Sequence, residues 1–365
     1  MSNNLGVRVE RKQIEDFCSK VFLQLGMTAQ AAKDSAEILV AADARGIASH
    51  GIARLWRYVN GITTGVMKPQ VQSEVVHRTP MSFVIDAKGG GGLSLSKAVM
   101  QEVVDTAKER GFATAAVRDS NHFGIAGYYA MMALPHDMIG VAMTNTAALG
   151  IPTFGRDVLF GTNPIAVAVP ALHQPAFVLD MATTVVTRGK VEVYEREGKA
   201  LPAGWAVDTR GVDTSDATAL LLDMLVQAGG GILPLGGRGD VLGGHKGFGL
   251  AVLVDILTAV TSGGIFGKSV MDSERTSARV CHYFAAIRLD MFRDPLAFRT
   301  DMDRMLLEIR NARPAVGQER VYYAGLKEYE SELECAVHGV PLSAPCWAAL
   351  GKIAQELRIE LPVTV

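Results

Sequence analysis

The sequence predicts a mixed α/β fold with an N-terminal helical segment. Three observations predict it. The chain opens with apolar residues at helical spacing. Short apolar runs of strand length then alternate with helical stretches. Of 365 residues, 48% are apolar, which is enough for a large core and long enough for one unit to split into two lobes.

The elements follow in order. Ile14, Phe17, Val21 and Leu25 recur at helical spacing, and Gly26 ends the run. Thr28 can cap a second helix that carries Ala32, Ala36 and Leu39 and runs to Arg45-Gly46. A short third helix is expected after Ser49, ending near Gly61 and Gly65. Strands are expected at 82–85, 113–117, 139–143, 165–169, 177–179 and 283–289. Helices are expected at 94–109, 246–262, 295–311 and 346–357. Gly89 to Gly92 reads as a strand-to-helix loop. The polar, turn-rich stretch 196–216 reads as surface or subunit contact.

A net charge of −2 gives no long-range attraction to nucleic acid or an anionic membrane. The longest apolar helical stretch, 247–260, is too short for a span and carries Asp255. The N-terminus lacks the apolar core of a signal peptide, so a cytoplasmic protein is expected. Cys18, Cys281, Cys335 and Cys346 form no C-x-x-C pair and are expected as buried thiols. No metal set is expected, because the eight histidines lack H-x-x-x-H and H-E-x-x-H spacing.

The G-x-G-x-x-G dinucleotide fingerprint is absent: the Gly89 cluster fails at Ser94, and Gly237-x-Gly239 fails at Leu242. A P-loop near miss at Gly267-Lys268-Ser269 has Ser262 where its first glycine belongs. Four other constellations could carry chemistry. In the first, from Asp43 to Arg54, a cap at Ser49 would put His50 in a helix's first turn, where the dipole disfavours its charged form. Arg54, one turn on, could hold a carboxylate through two parallel hydrogen bonds. A capped helix with a structural histidine would use the same spacing. In the second, His122 follows a strand at a turn and can be an acid, a base, a ligand hydrogen bond or a backbone partner. In the third, Asp180 at a strand end can orient a histidine or, with Thr183, cap a helix. In the fourth, Gly243-Gly244-His245-Lys246 opens an apolar helix, as a phosphate cradle or as a flexible loop.

The blocks DARGIASHGIARL, SNHFGIAGYYA, MTNT, FGTNPIAVAVP, LDMATTVVTRGK, WAVDTRG and GGHKGFGLAVLVDIL follow one another along nearly the whole chain. In this the sequence resembles the malate/L-lactate dehydrogenase superfamily, which is distinct from the Rossmann-type malate and lactate dehydrogenases. That group includes malate, sulfolactate and ureidoglycolate dehydrogenases, diketogulonate reductase and cyclic-imine reductases. The resemblance implies a family-specific, non-Rossmann NAD(P)-binding α/β fold with mixed sheets. It implies a homodimer with its site near the subunit interface, NAD or NADP as cofactor, and a small 2-hydroxy or 2-keto acid as substrate. It implies His50 as the proton-transferring residue, supported by Ser49 and Asp180. His122 is implied as the second histidine of the site, assigned the proton acceptor in some members, and as a cofactor contact. Arg54 is implied as the carboxylate anchor. Thr146, Asp180, Met181, Ala182, Thr183, Thr184, His245, Lys246 and Gly325 are implied as cofactor contacts.

A single domain in two lobes is expected. Residues about 1–120 with 270–365 would form the helical, substrate lobe, and about 121–270 the cofactor lobe. The chain departs from the family pattern at Asp213 to Ala217, at Ala147-Ala148-Leu149 after MTNT, and at Ala324-Gly325-Leu326, where a Pro-Gly-Glu type turn is usual. SNHFGIAGYYA and MTNT look closest to the malate/sulfolactate branch, which favours an open-chain anionic acid over a cyclic imine.

Overall fold

The structure is a computed structural model that describes residues 6–271 and 277–365. In chain order its elements are β1 (Val7–Val9), α1 (Arg11–Gln24), α2 (Ala29–Ala44), α3 (Leu55–Thr63), β2 (Glu74–Arg78), β3 (Ser82–Asp86), α4 (Gly92–Arg110), β4 (Phe112–Ser120), α5 (Ala126–Met131), β5 (Met138–Thr144), β6 (Ile165–Val169) and β7 (Phe177–Met181). Then come α6 (Arg188–Arg196), β8 (Ala206–Val207), α7 (Ala217–Val226), β9 (Gly231–Ile232), α8 (Gly244–Asp255), β10 (Val280–Arg288), α9 (Pro295–Arg310), α10 (Leu326–His338), β11 (Val340–Leu342) and α11 (Ala344–Leu357). The strands and helices expected from spacing are present, mostly one to three residues longer. The periodicity had not marked α6, α7, α10 or the short strands.

Seven strands form one mixed sheet in the order β2-β3-β4-β10-β5-β6-β7. Only β3 and β4 are parallel, joined through α4; every other pair is antiparallel. β10 lies between β4 and β5 and runs opposite to both, so the carboxyl ends of β4 and β5 share one edge. Strands from both expected lobes therefore share a single sheet, β2-β3-β4-β10 on one side and β5-β6-β7 on the other.

One face of the sheet is covered by α4 and α5 and, beyond them, α1 and α2; the core there holds Phe83, Phe123, Tyr129 and Phe284. The opposite face carries α8, whose Val254 packs against Met143 and Ile165. A smaller apolar cluster of Val191, Leu220, Met224 and Ile232 unites α6, α7 and β9. Among the described residues no helix is long and apolar enough to cross a membrane. Cys18, Cys281 and Cys335 are buried free thiols, and Cys346 is part-buried.

Two local departures have physical causes. The third helix does not start at Ser49. Two 3-10 turns, Ala48–His50 and Ile52–Arg54, come first, separated by extended Gly51. The buried Asp43 carboxylate takes the Ile52 N–H and fills the space that a Cβ on Gly51 would need. The chain thus bends around Asp43, and among the described residues Ser49 caps no helix. The long helix expected at 246–262 changes to a π turn at Ile256–Val260. There Thr258, Thr261 and Ser262 donate their hydroxyls to carbonyls one turn back, a contact that bends helices.

The glycine cluster serves close packing. Asn121 donates to the Gly89 and Gly90 carbonyls. A Cβ on Gly92 would lie 2.0 Å from the Asn121 oxygen and 2.6 Å from that of His122. A Gly92→Ala variant is expected to lose about 1–3 kcal/mol, because backbone rather than a mobile side chain must move. An unchanged thermal midpoint would contradict this.

Candidate active site

A cavity of about 230 Å³ opens at the carboxyl ends of β4 and β5. Ser49, His50 and Arg54 enter it from the two 3-10 turns, Arg57 from the first turn of α3, and His122, Phe123 and Gly124 from the loop after β4. Thr144, Asn145 and Thr146 come from the end of β5, and Thr162 and Pro164 from the approach to β6. Thr187, Arg188 and Gly189 at the start of α6, with Met224, Leu225 and Gln227 at the end of α7, close the side.

The two histidines meet as parallel rings, their centroids 5.7 Å apart and their planes 19° from one another. Ser49 Oγ lies 2.9 Å from His50 Nδ1. His122 Nδ1 receives the Gly124 N–H at 3.3 Å and lies 2.6 Å from Tyr58 Oη. Both rings are neutral near pH 7. Burial, then Arg54, pulls His50 down to about 4. Burial, then His50, Arg57 and Arg54, holds His122 well below the usual histidine range. The dipole expected to keep His50 neutral is not the cause, since His50 ends a 3-10 turn instead of starting a helix. Arg54 donates Nε–H to the Ser49 carbonyl at 2.7 Å, which leaves its paired terminal nitrogens for a ligand.

Behind the cavity, His282 on β10 ties three strands together. Its Nδ1 lies 2.9 Å from Thr144 Oγ1 and its Nε2 2.9 Å from Ser120 Oγ. Thr144 gives its own proton to the carbonyls of Asn145 and Cys281, so His282 Nδ1–H is the donor in that pair. Burial drives His282 down to about 3. Phe123 stacks on it at 4.5 Å and 3°, which fixes the residue next to His122. Asn163 takes the Thr146 N–H, and Thr146 Oγ1 takes the Thr162 N–H. A Cβ on Gly161 would lie 2.0 Å from Thr146 Oγ1, so only glycine admits this approach.

Ser49, His50, Arg54, His122 and Thr146 therefore converge, as expected. Asp180 does not join them. Its carboxylate accepts the Gly127 N–H at 2.7 Å, capping α5, because β7 ends beneath the start of that helix. With Gly325 and Arg45 it lines a second pocket of about 320 Å³. Thr183 backs the cavity through the Thr162 and Asn163 carbonyls, and Thr184 bonds to the Val186 carbonyl. Met181 and Ala182 are part-buried, and neither lines the cavity. His245 and Lys246 are exposed on the first turn of α8, outside the cavity lining. Arg57, Tyr58 and His282 had not been marked in the sequence. Arg57 and Tyr58 follow Arg54 at helical spacing, and His282 interrupts an otherwise apolar strand; these were the available signals.

The buried groups set a pH dependence. Below about 6.5 the unfolded chain binds protons that folded His50, His122 and His282 refuse, so each loses stability as pH falls toward 4. Asp43, raised by burial to about 7, acts oppositely: between about 4 and 7 the fold binds its proton more tightly than the unfolded chain does. Asp180, raised by burial to about 6, and Asp255, also raised by burial, act with Asp43, but from pH 7 to pH 5 the three histidines, each charging in the unfolded chain from about 6.5 downward, outweigh them. The urea midpoint should be lower at pH 5 than at pH 7, and a higher midpoint at pH 5 would contradict the balance.

Residues 9–351 match the malate/L-lactate dehydrogenase family. The chain is 38% identical over 354 residues to the malate dehydrogenase of Pyrococcus abyssi, covering 97% of this chain and 96% of that one. It is 36% identical over 312 residues to the L-sulfolactate dehydrogenase of Methanocaldococcus jannaschii, covering 85% of each. The crystal structure of malate dehydrogenase from Entamoeba histolytica superposes with a TM-score of 0.93 at 30% identity, covering 98% of this chain and 100% of that one. On sequence and fold together, this chain belongs to the malate/L-lactate dehydrogenase family of oxidoreductases.

Proposed function

We propose that the protein interconverts a small, open-chain 2-hydroxy acid and its 2-keto acid, with NAD or NADP as hydride carrier. The observation that carries this reading is the stacked pair His50 and His122 beside Arg54 and Arg57 in one cavity. Neutral imidazoles suit proton chemistry near pH 7, and guanidinium groups suit carboxylates. Its relatives, named as malate and sulfolactate dehydrogenases, support the same class.

The residues fit a dinucleotide. The cavity is too small for the whole molecule, and suits its nicotinamide end together with the acid. α6 starts at the rim with no side-chain cap on its first-turn amides, and with Arg188 beside them. The Arg188 and Gly189 amides, with the Arg188 guanidinium, favour a diphosphate. The hydroxyl-bearing side chains of Thr146 and Thr162 line the same cavity. Asp180 to Thr184, His245, Lys246 and Gly325 would meet the dinucleotide only beyond its nicotinamide end. When bound, the nicotinamide supplies the hydride acceptor or donor.

In this reading Arg54 holds the 2-carboxylate and orients the carbinol carbon. Ser49 steadies His50 through Nδ1, and His50 takes the hydroxyl proton. Arg57, three residues from Arg54 and lining the same cavity, favours a second anionic group. A malate- or sulfolactate-type dianion thus fits better than a cyclic-imine monocarboxylate. The outer face of α8 and of the π turn that follows it exposes Val252, Leu253, Ile256 and Val260, which supports a homodimer. Free thiols fit the cytoplasm.

His50→Ala should lower turnover by several orders of magnitude with the fold intact; unchanged turnover removes His50 from the mechanism. Arg54→Lys should chiefly raise KM for the acid, and an unaltered KM would count against the anchor. In a screen of 2-hydroxy and 2-keto acids with both cofactors, kcat/KM for a dianion should exceed that for lactate by about tenfold or more, the scale of one charge-assisted hydrogen bond. Equal values would remove the role given to Arg57. Light scattering should return a dimer mass.

A further inference from the structure

Building on the reading that a hydroxy acid reacts between His50 and His122, we propose that Tyr58 and the Gly124 amide lock His122 as its Nε2–H tautomer. His122 then serves as a neutral hydrogen-bond donor to the reacting oxygen, and proton transfer falls to His50 alone.

The geometry fixes the tautomer. A backbone N–H can only donate, so the Gly124 amide requires a lone pair on His122 Nδ1. Tyr58 Oη, 2.6 Å from the same nitrogen, must then donate as well. The one hydrogen of the neutral ring is left on Nε2. Among the described residues nothing is bonded to that nitrogen, and His122 lines the cavity.

The surroundings oppose any other state. His50 and Tyr58 touch the ring, and Arg54, Arg57 and His282 lie near enough to act on its charge. Two are cations and two are imidazoles, so an imidazolium here is penalised. To act as a base at Nε2, the ring would first need a proton on Nδ1. That state abandons the Gly124 N–H and forces Tyr58 to accept. To surrender its Nε2 proton, the ring would have to draw one from Tyr58, leaving a tyrosinate in a buried site that pushes the phenol upward.

The step balances without net change at His122. On oxidation a bound nicotinamide would accept the hydride from the carbinol carbon, the O–H proton would pass to His50, and the C=O bond would form. Throughout, His122 Nε2–H steadies the negative charge that develops on the oxygen, as a neutral imidazole can. Reduction reverses each transfer. Tyr58 is thus a positioning residue, acting through His122.

The test uses the full chain with 15N-labelled histidine. At pH 7 the His122 ring, identified by the signals lost in His122→Gln, should show a protonated Nε2 and a bare Nδ1. Tyr58→Phe keeps the ring that packs edge-on against Phe22, and should shift Nδ1 and mix the tautomers. A protonated Nδ1 in the natural protein, or no change in Tyr58→Phe, overturns the lock. In kinetics, His122→Ala should cost about 100- to 1000-fold in kcat. His122→Gln, whose amide still donates, should recover at least tenfold and keep the pH limb of His50. A glutamine variant as inactive as the alanine one, or one that loses that limb, overturns the donor role. The tautomer readout needs no substrate, so it decides the lock even if no acid is turned over.

Discussion

Burial and the crowding of positive groups around one cavity set the charge of its two histidines. Two guanidinium groups and two parallel imidazoles line one small space, and a third imidazole stands behind Phe123. Burial denies each ring the water that a charge would need, and each additional proton also meets charge of its own sign, so the rings stay neutral. In the proposed reading, an anionic acid entering this space would make His50 more willing to hold a proton, so binding and activation of the base would be one electrostatic event.

The scaffold keeps this arrangement fixed. β10 separates β4 from β5, and His282 ties their ends together through two hydroxyls. The stack of Phe123 on His282 passes that rigidity to the turn that carries His122. The glycines at 92 and 161 let backbone close in where a methyl group would not fit. Side chains that hold ligands through two nitrogens tolerate little drift, and a floor built from a sheet edge gives them little.

Much of this was legible in the sequence. The helices and strands of the central sheet follow from spacing, because each has one face in the core. His50, Arg54 and His122 stood out as polar groups at turns, and the family blocks linked them. The unreadable parts were those decided by contacts distant in sequence. Asp180 had the residue type to orient a histidine, yet its partner depends on where α5 crosses β7, 53 residues away along the chain. Ser49 had the residue type to cap a helix, but Asp43 bends the chain first. His282 and Tyr58 looked like ordinary strand and helix residues, and only the fold gives them their partners.

The bend at Gly51 also constrains how this chain can change. A side chain at 51 would occupy the volume of the Asp43 carboxylate, and losing that carboxylate would free the Ile52 amide. Neither position can drift alone without loosening the turn that carries His50. Across relatives the two should be exchanged together or not at all, so the setting of that histidine is inherited as a linked pair of residues.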